Sequence, residues 1–504
     1  MKKMAEDYWK EIKYFITNKK YMLSLIIVTL LSYGFTITHY SIGADDLCFD
    51  RYVDGTYNLS QKRWGTWILY NLLNIHKFTP FWLDLLVAIL IMFLAILICS
   101  FIRKNNTLKK DNLVAYIIFS CIMVSYPLIF NFFVYQVSNL SVVISNTLIT
   151  IAEILIYENY FNNNKKPWIF IISIIMITFS ISLYQSSIET FLLLMFLGIF
   201  INDKNKKQNF KFFMINIGML ICSLILFYII SELIILILKK IGKYRGNFSS
   251  SVIFWNKLDT NNVFIKITSA INNVNLLISE FNIGGILLKT EAVFLICIFT
   301  WELYIGINNK EFKRFICLIG MILSAVSLVI FQGIVISRTQ FTWSISTALV
   351  WFYMVELCYD KKIYRYIMIA LSIYAILMQT KTISDSFYHE YKRYEKEKNI
   401  AIDIGMNITK NNNYKKKPVA YVGIEADKNI YGYVFKWGQN AFDDYDYEIT
   451  KFIDYFGFSL NAMNPKDNDE VEEIYKNMSE EQKNETIIET DKYILVNMRK
   501  YGYR

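Results

Sequence analysis

The chain alternates between long apolar runs and short polar breaks. Runs of this kind cover 21–40, 81–102, 112–129, 140–157, 168–184, 187–201, 212–238, 286–307, 315–336, 341–359 and 363–379. Each approaches the length that carries an α-helix across a bilayer, so the pattern predicts about eleven spans. Between the first two, Trp64, Trp67, Ile68, Leu72 and Ile75 recur at helical spacing, with Arg63, Asn71 and Asn74 among them. That segment predicts a helix lying along the membrane interface. Beyond 379 the pattern becomes that of a soluble segment of about 125 residues, enough for a small core. A charged helix over 381–399 continues out of the last span, strands are expected at 418–424 and 493–498, and helices at 447–456 and 471–478. The expected fold is therefore a polytopic α-helical membrane protein over 1–380, followed by a small extracytoplasmic α/β domain over 381–504. Its longer outer loops are 41–80 and 239–285.

Composition agrees: of 504 residues 54% are hydrophobic, 17% aromatic and only 19% charged, against about a quarter charged in soluble domains. The net charge of +10 does not call for nucleic acid, because most basic residues sit in short clusters between apolar runs, where positive-inside bias accounts for them. Lys2, Lys3, Lys10, Lys13, Lys19 and Lys20 precede the first run and place the start in the cytoplasm. No small-residue cleavage site follows, so the first run is an uncleaved helix. Lys204, Lys206 and Lys207, then Lys310, Lys313 and Arg314, then Lys361, Lys362 and Arg365 all fall on the side this topology makes cytoplasmic. An odd number of spans puts the C-terminal segment outside. Lys239, Lys240, Lys243 and Arg245 depart from the rule by opening an outer loop, where they suit an anionic ligand at the membrane surface. Six of the seven cysteines lie in or beside apolar runs and only Cys48 is outside, so no disulfide framework is available to the exposed regions.

The chain contains no phosphate-binding Gly-x-x-x-x-Gly-Lys-Ser/Thr, no His-Glu-x-x-His and no Cys-x-x-Cys, and its only histidines are His39, His76 and His389. Only Pro127 of five prolines lies inside a predicted span, so the broken helices of secondary transporters are not suggested. What stands out is Gly43-Ala44-Asp45-Asp46-Leu47 after the first span. On spacing alone, capping a following helix is the simpler role for these acids. The chemical alternative is a carboxylate at headgroup level that takes a proton from an acceptor hydroxyl as its oxygen attacks a sugar carbon and a lipid phosphate leaves. Neighbouring side chains diverge, so one base is expected: Asp45, with Asp46 orienting or binding, and the reverse assignment stays open. Among acids in or near spans, Glu153, Glu232, Glu302 and Glu356 suit helix-to-helix hydrogen bonding, whereas Glu189, one turn after Gln185, suits the wall of a sugar pocket. Trp64 and Trp67 suit either an interfacial belt or a sugar face.

The order of a basic-flanked first span, Ala44-Asp45-Asp46-Leu47, then Arg63-Trp64-Gly65, resembles the bacterial serotype-converting glucosyltransferase II family of the GT-C class. Leu183-Tyr184-Gln185-Ser186 and Ser337-Arg338 extend the resemblance over the membrane part, roughly three quarters of the chain. Where that family tends to show Ser-Gly-Arg-Trp, this chain has Gln61-Lys62-Arg63-Trp64. The resemblance implies a hexosyltransferase, glucose by family precedent, moving the sugar from an undecaprenyl-phosphate donor to a surface glycan such as O-antigen or a wall polysaccharide. Arg338 is the first candidate for the donor phosphate, through bidentate guanidinium contacts, with Arg245, Lys243, Lys240 and Arg63 behind it. Tyr184, Gln185, Glu189 and Trp64 are candidates for the sugar pocket. No cofactor is expected; several cations could hold the donor without a metal, and two carboxylates alone do not demonstrate one, so a metal on Asp45 and Asp46 stays open. A flippase and a polyprenyl-phosphate glycosyltransferase would supply the donor. The competing class is a transporter or flippase of lipid-linked saccharides, in which Asp45 couples to an ion or binds cargo.

Overall fold

The computed structural model describes residues 2–43, 46, 56–75, 79–105, 112–161, 166–202, 204–244, 268, 272, 285–332, 339–411, 413–423, 446–464 and 467–501. Contacts divide the chain into two units, one of residues 1–38 with 51–384 and one of residues 39–50 with 385–504.

The first unit is helical. Helix α1 (Lys2–Thr17) buries Tyr8, Ile12 and Phe15, which recur every three or four positions, and exposes Trp9, Lys10 and Lys13. The lysine-rich start is thus an amphipathic helix of its own rather than only a charged flank. It stops at Asn18, whose side chain accepts from Tyr21 N at 3.1 Å and so opens α2 (Lys19–Thr38). Two short helices, α3 (Thr56–Ser60) and α4 (Trp64–Leu72), precede α5 (Pro80–Asn105). Tyr8 donates to Glu158 at 2.9 Å, and Glu158 also pairs with Lys104 of α5 at 3.0 Å, which pins α1.

Pro127 interrupts the next run. Helix α6 (Leu113–Val124) ends before a 3-10 turn at Pro127–Ile129, and α7 (Phe130–Val134) follows. Helix α8 (Gln136–Phe161) is buried over 83% of its most apolar window, as expected of a helix at the centre of a bundle. Around it lie α9 (Pro167–Leu183), α10 (Ser187–Ile201) and α11 (Lys206–Lys240), then α12 (Gly285–Asn309), α13 (Lys313–Gln332) and α14 (Phe341–Leu357). Six helical segments among the described residues are long and apolar enough to cross a membrane, and 167–183, 187–201 and 293–309 are shorter apolar helices. Several acids in these helices are bonded between helices: Glu356 accepts from Asn112 at 2.6 Å, and Glu302 accepts from the Tyr353 hydroxyl. Neither oxygen of Glu153 has a partner among the described residues.

Helix α15 (Lys362–Thr409) begins in the first unit and ends in the second. The second unit also holds β1 (Val419–Val422), α16 (Asp446–Tyr455), α17 (Asn468–Lys476), β2 (Ile487–Glu489) and β3 (Ile494–Asn497). The sheet order is β1-β3-β2, with Val419 opposite Ile494 in the parallel pair and Ile487 opposite Val496 in the antiparallel pair. Ala420, Val422, Met463, Val471, Ile488, Tyr493 and Leu495 form a core cluster in this unit. Tyr421 reaches the Thr450 hydroxyl of α16 at 3.1 Å.

Candidate active site

The turn before Arg63 is built by backbone geometry. At the end of α3, Arg63 N donates to Asn58 O at 2.7 Å and Lys62 N to Leu59 O at 3.1 Å. This pair of bonds is a Schellman stop, whose penultimate residue must be left-handed and is usually glycine. Here it is Lys62, at φ 61°. The chain's departure from Ser-Gly-Arg-Trp therefore falls on the position where glycine is favoured. Lys62 is held there by an ion pair to Glu232 of α11 at 2.7 Å and lies over the Tyr228 ring at 5.0 Å. These two contacts hold the side chain without outweighing the cost of the backbone conformation.

One residue on, Arg63 caps α4 and its guanidinium lies 5.3 Å from the centre of the Tyr184 ring, a cation–π distance. Tyr184 is extended (φ −156°, ψ 113°) and ends α9; the chain turns through Gln185 and Ser186 into α10. Helix α4 is fastened to this junction. Thr66 Oγ1 donates to Leu183 O at 2.8 Å, and a Cβ on Gly65 would meet Ser182 Oγ and, at 3.0 Å, Leu183 N. Only glycine lets the two backbones approach this closely. Trp64 is 9% exposed, packs 5.9 Å from Phe179, and its indole nitrogen has no partner among the described residues. From the far side, Ser145 of α8 donates to Ser180 O at 2.8 Å, and Ser180 Oγ returns the bond to Ser145 O at 2.7 Å. The two motifs, 120 residues apart in numbering, thus form one packed element.

Glu189 opens α10 and is fully buried. It accepts from Leu328 N at 2.8 Å and Ser327 Oγ at 3.4 Å, both on α13, while its second oxygen has no partner among the described residues. Thr190 beside it bonds Asn146 of α8 at 2.6 Å and Thr342 of α14 at 2.9 Å. Arg338 lies outside the described residues, as do Asp45 and Arg245; the helices that flank Arg338 in sequence, α13 and α14, both reach α10 at Glu189 and Thr190. Lys240 and Lys243, near the end of α11, are exposed. The structure thus brings Arg63 to Tyr184 and Trp64 to Phe179 of the same helix end, with half-buried Gln185 and buried Glu189 following on in the chain.

Asp46 belongs to the second unit and is 3% exposed. Its Oδ2 accepts from Gly43 N at 3.4 Å, and its own N–H donates to Gly43 O at 3.1 Å. This reciprocal pair resembles a capping box in which the acid reaches back to the first residue of the turn.

The sequence reading missed Asp84. It is buried on α5 and accepts from Gln136 Nε2 at 3.0 Å and Asn139 Nδ2 at 3.4 Å, while Tyr70 of α4 donates to Val137 O at 3.0 Å. A single acid inside an otherwise apolar run was the signal available. Among the described residues no three His, Cys, Asp or Glu side chains converge as metal ligands would.

A protein-family model described as glucosyl transferase GtrII matches residues 33–357, well over half of the chain. The chain belongs to this family. Membership makes it a glucosyltransferase, and the GtrII match takes in both the acidic loop and the Arg63–Tyr184 element, ending before α15. No curated protein and no solved structure shows a significant match to the chain.

Proposed function

We propose that this GtrII-family protein is a GT-C-type enzyme of the bacterial cytoplasmic membrane that moves glucose from undecaprenyl phosphate to an extracytoplasmic glycan. In this reading the chain has about eleven spans, counting the three shorter apolar helices and also α13 and α14 with the six long segments, with its N-terminus inside and 381–504 outside as a small α/β domain. The observation that carries it is Arg63 over the Tyr184 ring beside buried Trp64, which packs on Phe179 of the same helix. A guanidinium, a buried indole N–H and a phenol gathered at one helix junction suit a sugar joined to a phosphate. Arg63 and Arg338 take the donor phosphate, with Arg245, Lys243 and Lys240 as weaker candidates that add positive charge at the membrane surface. Tyr184, Gln185, Glu189 and Trp64 line the sugar.

Asp45 takes the proton from the acceptor hydroxyl as that oxygen bonds to the anomeric carbon. The bond from that carbon to the phosphate oxygen breaks, with inversion, and undecaprenyl phosphate leaves with the electron pair. Asp46, tied to Gly43, orients the loop. The test is transfer of radiolabelled glucose from undecaprenyl-phosphate glucose to a crude surface-glycan acceptor by purified protein in lipid. Asp45→Asn should lower the rate roughly 100-fold or more while donor binding persists. Donor that stays intact with every acceptor but crosses between leaflets would replace the enzyme by a flippase.

A further inference from the structure

Residues 39–50 belong to the same unit as 385–504, and specific contacts hold the stretch that enters the acidic loop. Arg393 on α15 is 4% exposed and lies between Glu390 and Glu397, which are 0% and 2% exposed. Its Nε donates to both Glu390 oxygens, at 3.1 and 3.2 Å; Nη2 also bonds Glu390, and Nη1 bonds Glu397. Two carboxylates on the same helix, three residues before and four after, thus fix the guanidinium plane. The remaining direction of Nη2 is used on the loop: it donates to the Ile42 carbonyl at 3.2 Å. The flanking rings follow the same course. His39 meets Tyr391 edge-on at 5.3 Å, and Tyr40 packs on Tyr394 at 5.6 Å. Ile42 is 2% exposed, and the next residue, Gly43, carries the reciprocal bonds to Asp46.

We propose that Arg393 is a positioning residue for glucosyl transfer: held by Glu390 and Glu397, it fixes the backbone at Ile42-Gly43 and thereby sets Asp46, the residue bonded to Gly43. This rests on the reading that the Asp45–Asp46 loop supplies the base. It gives residues 385–504 a part in the reaction, although they lie outside the segment 33–357 that matches the family model. A buried arginine between two glutamates would be an uneconomical way merely to hold a helix, since apolar residues of similar volume serve as well or better. A rigid donor aimed at a neighbouring carbonyl needs this arrangement, because only guanidinium offers several donors in a fixed plane.

The test uses the full chain in lipid nanodiscs with two variants. Arg393→Lys keeps the charge but cannot reproduce the fork. The triple variant E390Q/R393M/E397Q removes the buried charges together, so that it folds even if unpaired glutamates prevent the single variant from folding. Two readouts are taken: donor cleavage as separate kcat and KM, and amide exchange at Gly43 and Asp46. Both variants should lose roughly 10- to 100-fold in kcat with donor KM unchanged, and exchange at these two amides should quicken at least 10-fold while α8 and α10 stay protected. Unchanged exchange at Gly43 and Asp46 in a folded variant overturns the proposal, as does faster exchange with unchanged kcat. Wild-type protein that cleaves no donor would refute the transferase reading itself, and the exchange arm would still decide whether Arg393 holds the loop.

Discussion

Gly65→Ala tests whether the contact between α4 and the α9–α10 junction is as tight as it looks. The added methyl would meet Ser182 Oγ first, but the Leu183 nitrogen and the Ser182 carbonyl carbon both lie at 3.0 Å. A relaxed contact needs 3.5 Å or more, so α4 must withdraw by roughly half an ångström. The hydroxyl can rotate away from the methyl, although Ser182 Oγ would then give up its 2.7 Å bond to Phe179 O; the backbone cannot move without shifting Tyr184. Overpacking of this kind costs about 1–3 kcal/mol. The withdrawal also carries Arg63 away from Tyr184 and Trp64 away from Phe179, and displacements of this order reduce catalysis by up to about 100-fold. Thermal unfolding in nanodiscs and donor cleavage read the two effects. Ser182→Ala in the same chain should recover only part of the loss, because the backbone contacts remain. A Gly65→Ala protein with wild-type midpoint and rate would refute the close approach.

Other substitutions probe separate features. Lys62→Gly relieves about 1–2 kcal/mol of left-handed strain and forfeits an ion pair worth about 0–1 kcal/mol, so its unfolding midpoint should hold or rise; a large fall would mean that Glu232 contributes far more than a partly exposed pair normally does. Asp84→Asn turns one acceptor into a donor facing Gln136 and Asn139, and should cost about 1–3 kcal/mol, seen as a lower midpoint; an unchanged midpoint would show that the amides simply re-pair. In the second unit, hydrogen bonds from Lys417, then Asn411 and Asn413, hold the Glu489 carboxyl down at about 2. Because the folded value is below the unfolded one, the contribution is full above the ordinary carboxylate range and fades as pH falls through about 2. The midpoint difference between wild type and Glu489→Gln should therefore be present at neutral pH and absent in strong acid; a difference independent of pH would refute the linkage.

The apolar runs were legible because membrane solvent leaves a helix few alternatives, and the strands expected at 418–424 and 493–498 correspond to β1 and β3. Strand β2 is only three residues long, too short for periodicity to register. Both halves of the Arg63–Tyr184 element were visible as motifs, but their contact was not, since nothing in either motif names a partner far along the chain. Lys62 concealed its turn because the left-handed position carried a charged side chain instead of glycine. Asp84 was hidden by the very run that made α5 easy to find. Arg393 looked like one charge among many on an exposed helix; burial between two glutamates of its own helix depends on what packs over it.

The bond from Arg393 to Ile42 has a consequence in time. Ile42 is synthesised 351 residues before its donor, and at about 5–20 residues per second that interval lasts on the order of 20 to 70 s. Over the last 36 residues of it, from 357 to 393, a nascent chain holds the whole segment that matches the family model and still lacks the guanidinium that bonds Ile42. Catalytic competence would then arrive only once Arg393 has been made, and a chain cut short after 357 would be inserted but idle, unable to spend lipid-linked sugar.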